Sequence, residues 1–145
     1  NAYRRLAPGS WAPKSLTWAE HPFTVAVRSA PHAGPSARLE FRVPPADCNT
    51  YLTMAMMLGA GLDGIERGLA APPATLSGGP DHVPEGAERF PRDLAEAADR
   101  MAASQTVRRI WGDAFTDNFV AACRAEYASL AKAVSAEERA RYLEA

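Results

Sequence analysis

Apolar and polar residues alternate most regularly along Arg38-Leu39-Glu40-Phe41-Arg42-Val43. Leu39, Phe41 and Val43 fall on one side and Arg38, Glu40 and Arg42 on the other. Period two predicts a strand with one buried face, kept short by Pro35 before it and Pro44-Pro45 after it. Upstream, Leu16 and Trp18, then Phe23, Val25 and Val27, make two more alternating segments, broken at His21-Pro22 and ending at Arg28. They read as neighbouring strands or one bent strand, with Thr24, Ala26 and Arg28 opposite Phe23, Val25 and Val27. The three segments predict a small antiparallel meander or the closing strands of a larger sheet.

From Asp47 the period becomes helical: Leu52, Ala55, Met56, Gly59, Leu62, Ile65 and Leu69 recur at spacings of three and four. Asp47 or Asn49 is placed to cap this helix. Gly59, Gly61, Gly64 and Gly68 each weaken a helix by roughly 1 kcal/mol, so close packing against the strands is expected, with Met54, Met56 and Met57 as core filler. Residues 71–90 are rich in proline and glycine and read as an exposed loop. Asp93 is set to cap a helix through Ser104. A shorter helical turn from Val107 to Trp111 ends at Gly112. Thr116-Asp117 would cap a long helix with the stripe Phe119, Val120, Cys123, Tyr127, Leu130 and Val134. Ser135-Ala136-Glu137-Glu138 is a capping box for a last helix. Near the start, Tyr3 to Pro13 is a loop with two adjacent arginines and a Pro8-Gly9 joint, either a cover for a ligand or simply a leading segment. Asn1-Ala2 reads equally as natural sequence or as an expression remnant. The fold class is α+β, with antiparallel strand segments packed against C-terminal helices.

Composition narrows the function. The 145 residues carry 16 basic and 17 acidic side chains, interspersed to a net charge of −1. That balance argues against nucleic acid or an anionic membrane as the main partner. No apolar run reaches a membrane span, and the start lacks the order of a signal peptide. Cys48 and Cys123 are too few and too far apart for a disulfide scaffold or zinc site, and are expected as buried free thiols in a reducing cytoplasm. His21, His32 and His82 lie in loops without ligand spacing, and no Walker, dinucleotide, GxSxG or HExxH motif is present.

The chemistry lies on the strand Arg38 to Val43. Glu40 between two arginines should have a lowered pKa, which suits a hard-metal ligand. Arg42 offers a fork for a substrate carboxylate and Arg38 one for a phosphate. The plain alternative is a solvated strand face with a salt bridge.

Four segments then coincide with a known pattern. Asn1-Ala2-Tyr3-Arg4-Arg5-Leu6-Ala7-Pro8-Gly9 resembles the N-S-Y-(K/R)-R-L-x-P-G segment of the glutamine synthetase superfamily. Arg28 followed by Ala37-Arg38-Leu39-Glu40-Phe41-Arg42 is similar to its R…A-R-(R/L/I)-E-x-R block. Ala46-Asp47-Cys48-Asn49-Thr50-Tyr51-Leu52 resembles A-x-x-N-P-Y-L, and Ala60-Gly61-Leu62-Asp63-Gly64-Ile65 resembles A-G-L-D-G-I. Order and spacing agree, and the resemblance covers residues 1–145 as the C-terminal portion of the family's catalytic domain. It implies that an N-terminal β-grasp domain and the upstream catalytic half are absent from this chain.

The resemblance further implies an ATP-dependent ligase that phosphorylates the glutamate side chain and lets an amine or ammonia displace phosphate. The cofactors would be ATP and Mg²⁺ (or Mn²⁺), the setting cytoplasmic, and the full-length protein a ring-shaped homo-oligomer. By position, Glu40 resembles the ligand of the metal holding the ATP phosphates. Arg42 and Arg5 resemble substrate-binding arginines, and Arg28 and Arg38 those that face phosphates in binding and catalysis. Guanidiniums and a metal neutralise the charge that develops in phosphoryl transfer.

Three departures qualify the match. Trp11 follows Ser10 where ammonia-using members carry a flap glutamate, which argues for an organic amine or another nucleophile. Phe23 stands where the family has a phosphate-site arginine. No counterpart of the adenylylated tyrosine occurs between Leu76 and Phe90. The expectation is therefore an amine ligase portion that is inactive on its own, beside an ordinary glutamine synthetase or a non-catalytic assembly or regulatory relative.

Overall fold

The computed structural model describes residues 2–21, 23–75, 79 and 81–143, so Asn1, the Pro22 break and residues 76–78 and 80 of the Pro/Gly-rich loop lie outside the described residues. The chain forms two compact units, Asn1–Arg92 and Asp93–Ala145.

The first unit opens with a single helical turn, α1 (Ala2–Arg5), where the sequence predicted only loop. A three-stranded sheet follows in the order β1 (Trp18–Ala19), β2 (Val27–Ala30), β3 (Arg38–Phe41). β2 and β3 are antiparallel, with Val27 opposite Phe41, Arg28 opposite Glu40, Ser29 opposite Leu39 and Ala30 opposite Arg38. β1 and β2 run parallel, Trp18 beside Val27 and Ala19 beside Arg28, which corrects the expected all-antiparallel meander. The cause is the stretch before β2. Thr24, Val25 and Ala26 are all buried, with 8%, 1% and 3% of their surface accessible, so the segment turns through the interior and does not alternate. The core around it is built of small residues, Ala12, Pro13, Ser15, Ala19, Val25 and Ala26.

The Pro-rich loop is tied to the edge of this sheet. Trp18 Nε1 donates to the Pro72 carbonyl at 2.6 Å. Thr75 N–H donates to the Trp18 carbonyl at 2.9 Å and Leu16 N–H to that of Glu88 at 2.8 Å. These bonds satisfy backbone groups that a two-residue strand would otherwise leave unpaired.

Beyond β3, α2 (Thr50–Glu66) starts at Asn49, whose side chain accepts from Leu52 N–H at 3.2 Å, so Asn49 and not Asp47 is the cap. The expected tight packing of α2 is absent: none of its residues is buried. Met54, Leu58, Leu62 and Ile65 are exposed, and a Cβ at Gly61 or Gly64 would meet nothing within 4 Å. Met56, Met57, Ala60 and Gly61 line, with Val27, Leu39 and Phe41, a cavity of about 270 Å³ between helix and sheet. The methionines are therefore not core filler, and the apolar side of β3, with Leu39 67% and Phe41 41% accessible, is not the buried face that its period implied.

The second unit consists of α3 (Leu94–Ala103), α4 (Gln105–Trp111), α5 (Asp113–Leu130) and α6 (Ala136–Leu143). Asp93 caps α3, accepting from Glu96 N–H, and Ser104 caps α4, accepting from Val107 N–H. Between α4 and α5, Gly112 has φ +77°, a conformation side chains disfavour. The chain therefore turns there, and α5 begins three residues before the expected Thr116 cap. Thr116 is instead buried inside α5, its hydroxyl donating to the Gly112 carbonyl at 2.8 Å. α3 packs on α5 through Ala98 and Val120, which are buried. Trp111, Phe115 and Phe119 form an aromatic row with centroids 5.0 to 6.1 Å apart. Arg108 ties the corner, donating to the Ala102 carbonyl, to Asp113 at 2.8 Å and to Asp117 at 2.9 Å. Ser135 and Glu138 form the expected capping box, with bonds of 2.7 and 3.1 Å. Cys48 lies in the turn before α2 and Cys123 in α5; both are free thiols but only half-buried, and burial pushes the Cys123 thiol up.

Candidate active site

The antiparallel register of β2 and β3 sets Arg28 directly opposite Glu40. Alternation along β3 then places Arg38 and Arg42 on the same side as Glu40. Arg28 binds Glu40 as a fork, Nε to Oε2 at 2.7 Å and Nη2 to Oε1 at 2.5 Å. Arg38 reaches Oε1 from Nε at 3.0 Å and from Nη2 at 2.7 Å. Arg42 Nη1 lies 3.5 Å from Oε2. Three guanidiniums thus converge on one carboxylate, and about a quarter or less of the Arg28, Glu40 and Arg42 side chains is accessible.

The hydrogen bonds from Arg28, joined by those from Arg38, hold the Glu40 carboxyl down at about 2, against the opposing effect of its partial desolvation. The same bond raises the Arg28 guanidinium above its ordinary value. Glu40 is therefore held in its ionised form and Arg28 in its charged form. The cluster carries three positive charges against one negative, a field that suits polyanions such as phosphates.

Phe23 completes the arrangement. Its ring lies under both neighbouring guanidiniums, with Arg28 Cζ 5.0 Å and Arg42 Cζ 5.4 Å from its centroid. Its carbonyl accepts from Arg42 Nε at 2.9 Å. Alternation read Phe23 only as an apolar strand position and the family pattern read it as a loss, so this aromatic support was missed. The nearby pair Phe23 and Arg28 was its only signal.

Arg5 joins the group from a distance in sequence. Its Nη1 donates to the carbonyls of Arg42 at 2.9 Å and Val43 at 3.1 Å, so α1 is fastened to the end of β3 beside Arg42. The five residues singled out from the sequence, Arg5, Arg28, Arg38, Glu40 and Arg42, are in this way brought together. His21, His32 and His82 are all exposed.

A divalent metal needs about six oxygen ligands. Glu40 offers one carboxylate whose two oxygens already accept from guanidiniums. Among the described residues no group of three histidine, cysteine or acidic side chains could hold a metal ion. The donors present fit one ligand of a shared metal and do not make a metal site by themselves.

Trp11 is 66% accessible, on a loop that Pro8, Gly9 and Ser10 lead into. Tyr3, Leu6, Pro8, Lys14, Asp81 and residues 89–92 line a separate cavity of about 390 Å³. No helix among the described residues is long and apolar enough to cross a membrane.

The chain is similar to known proteins in sequence and in fold. The family described as "Glutamine synthetase, catalytic domain" matches residues 1–142. The glutamine synthetase of Methanocaldococcus jannaschii is 33% identical over 148 residues, covering 99% of this chain and 33% of that protein. Type-1 glutamine synthetase 2 of Dictyostelium discoideum is 37% identical over 146 residues, covering 99% of this chain and 28% of that protein. A solved structure described as a GmaS/ADP complex superposes with a TM-score of 0.68 at 30% identity, over 93% of this chain and 30% of that one. The chain thus spans about a third of the length of these relatives. With its α+β fold and its clustered arginines on β2 and β3, it belongs to the glutamine synthetase catalytic-domain family, a family of ligases.

Proposed function

We propose that this chain is the C-terminal portion of the catalytic domain of an ATP-dependent ligase that forms a γ-glutamyl amide from glutamate and an organic amine. The observation that carries the reading is the convergence of Arg28, Arg38 and Arg42 on Glu40, with Arg5 fastened alongside. In this reading Arg28 and Arg38 turn toward the ATP phosphates and Arg42 and Arg5 orient the glutamate carboxylate. Glu40 supplies one ligand of a Mg²⁺ or Mn²⁺ ion completed by carboxylates outside this chain. When bound, that ion would neutralise phosphate charge. The guanidiniums act as fixed forks for carboxylate and phosphate oxygens, and the bond to Glu40 favours the charged form of Arg28.

Trp11 supports the amine over ammonia. An exposed indole offers no carboxylate to attract ammonium or to take its proton, whereas its flat apolar face suits the carbon skeleton of an amine. A second reading has its own observation. Phe23 removes one cation from the phosphate side, which favours a non-catalytic relative kept for assembly or regulation.

An amine panel assay on the full-length protein, following phosphate release with glutamate, Mg²⁺ and ATP, tests both. Release dependent on one organic amine is the expected result. A strong preference for ammonia would replace the amine reading by an ordinary glutamine synthetase. Silence across the panel from a folded protein would favour the second reading. The 145-residue chain alone is expected to be inert, because its metal ligand set is incomplete.

A further inference from the structure

We infer that Lys14 and Asp81 form a clasp that positions the loop bearing Trp11, and so sets access of the nucleophile to the site; the link to the nucleophile rests on the ligase reading above. Lys14 Nζ donates to the Leu6 carbonyl at 3.1 Å, the Ala7 carbonyl at 2.5 Å and the Ser10 hydroxyl at 2.6 Å. Its side chain is only 9% accessible and lies 3.9 Å from Asp81 Oδ1. One ammonium has three donors, and here all three are used on carbonyls and a hydroxyl that lead into the Pro8-Gly9 joint.

Asp81 holds the other side of the same joint. Its Oδ1 and Oδ2 accept from Gly9 N–H at 2.8 and 2.9 Å, across 72 residues of sequence. Gly9 sits at φ +78°, a conformation that needs glycine and that aims its N–H out of the turn toward the carboxylate. The residue pair therefore grips the loop from inside and outside at once. The grip is passed on: Ser10 Oγ donates to the Arg5 carbonyl at 2.7 Å, and Arg5 is bonded to the carbonyls of Arg42 and Val43. Hydrogen bonds, with the Gly9–Ser10 peptide link between them, thus join Asp81 to the end of β3, where the arginines assigned to the substrate stand. Lys14 and Asp81 are positioning residues, since neither reaches Glu40 or its arginines directly.

The amine-carrying position matters to the chemistry because Trp11 directly follows Ser10, which Lys14 holds. Freeing Ser10 lets the indole leave its place without changing any charge in the Arg28–Glu40 cluster. The effect should appear in the nucleophile's KM, with kcat and the ATP dependence changing little.

The test uses Lys14→Met, which keeps the length of the side chain and removes its donors, and Asp81→Asn, which keeps one acceptor for Gly9 and removes the charge. Asp81 is 55% accessible, so a further variant, Asp81→Ala, which removes both acceptors for Gly9, leaves the interior intact even if Lys14→Met unfolds. Hydrogen exchange on the chain should speed up at the Gly9 and Ser10 amides by about tenfold in Lys14→Met and Asp81→Ala and less in Asp81→Asn, with β2 and β3 unchanged. In the full-length protein the KM of the preferred amine should rise several-fold with kcat nearly constant. Unaltered exchange at Gly9 and Ser10 in Asp81→Ala overturns the clasp. Faster exchange with an unaltered amine KM overturns its role in access. An inactive wild-type protein would remove the ligase reading, and exchange alone would then decide whether the clasp exists.

Discussion

The two faces of the β2–β3 pair are covered in opposite ways. The polar face, which a surface sheet would ordinarily give to water, is drawn inward: Arg28, Glu40 and Arg42 are mostly covered and bonded to one another. The apolar face, which would ordinarily be covered, is open, with Leu39 67% accessible and a gap of about 270 Å³ before α2. Alternation assigned the residues to their two sides correctly but cannot say which side is closed. Closure depends on what else packs there. Charge found its partners within a few residues and one register, whereas the apolar surface of β3 and α2 is too large for this unit to cover.

The largest effect should come from breaking the closed face. Glu40→Gln removes the one carboxylate and leaves three guanidiniums facing one another. In the full-length protein, ligase turnover should fall by about a hundredfold or more, as for the loss of a transition-state contact. Stability should respond to pH in a way that identifies the residue. Glu40 has an ordinary value of 4.5 when unfolded and about 2 when folded, so the folded form binds fewer protons between these limits. Its contribution is complete above 4.5 and is lost as pH falls through about 2. Urea midpoints measured across that window should decline for the wild type and decline less for Glu40→Gln. Equal slopes would mean that the carboxylate is not held as the geometry says.

The open face should answer to a different change. Leu62 and Ile65 are 59% and 77% accessible on α2, so Leu62→Glu with Ile65→Glu should alter the stability of the chain by about 0.5 kcal/mol or less. The same pair should abolish self-association of the 145-residue chain, which the exposed stripe is expected to cause at high concentration. Sedimentation of wild type and variant checks this. A wild type that stays monomeric at high concentration would show that the apolar face is less adhesive than its area implies.

How legible each part was follows from the range of the forces involved. Caps depend on two or three neighbouring residues, and Asn49, Asp93, Ser135 and Glu138 took the roles their spacing implied. That Arg28, Arg38, Glu40 and Arg42 lie side by side was readable because alternation puts them on one face of two neighbouring strands. The parallel pairing of β1 was hidden, because it follows from Thr24, Val25 and Ala26 diving inward, a tertiary event with no local signature. Phe23 and Lys14 were hidden for the same reason. A ring under two guanidiniums, and an ammonium gathering carbonyls eight residues back, become visible only when the chain has turned. The exposure of α2 has no local signature either: its glycines imply a close neighbour, which this unit does not supply.

The smallest effect concerns whether charge alone keeps the polar face closed. Phe23 touches Arg28 and Arg42 through its ring and Arg42 through its carbonyl. Phe23→Leu retains the backbone bond and much of the bulk but removes the negative face of the ring, whose attraction for an exposed cation is modest. The KM for glutamate in the full-length protein should rise by about twofold, since Arg42 loses one of the contacts that fix its fork. Phe23→Tyr, which keeps the ring, should behave as the wild type. If Leu and Tyr act alike, the guanidiniums are held by Glu40 and the backbone alone, and the polar face closes without its aromatic floor. If only Leu weakens glutamate binding, the ring contributes by ordering the two cations that lie over it.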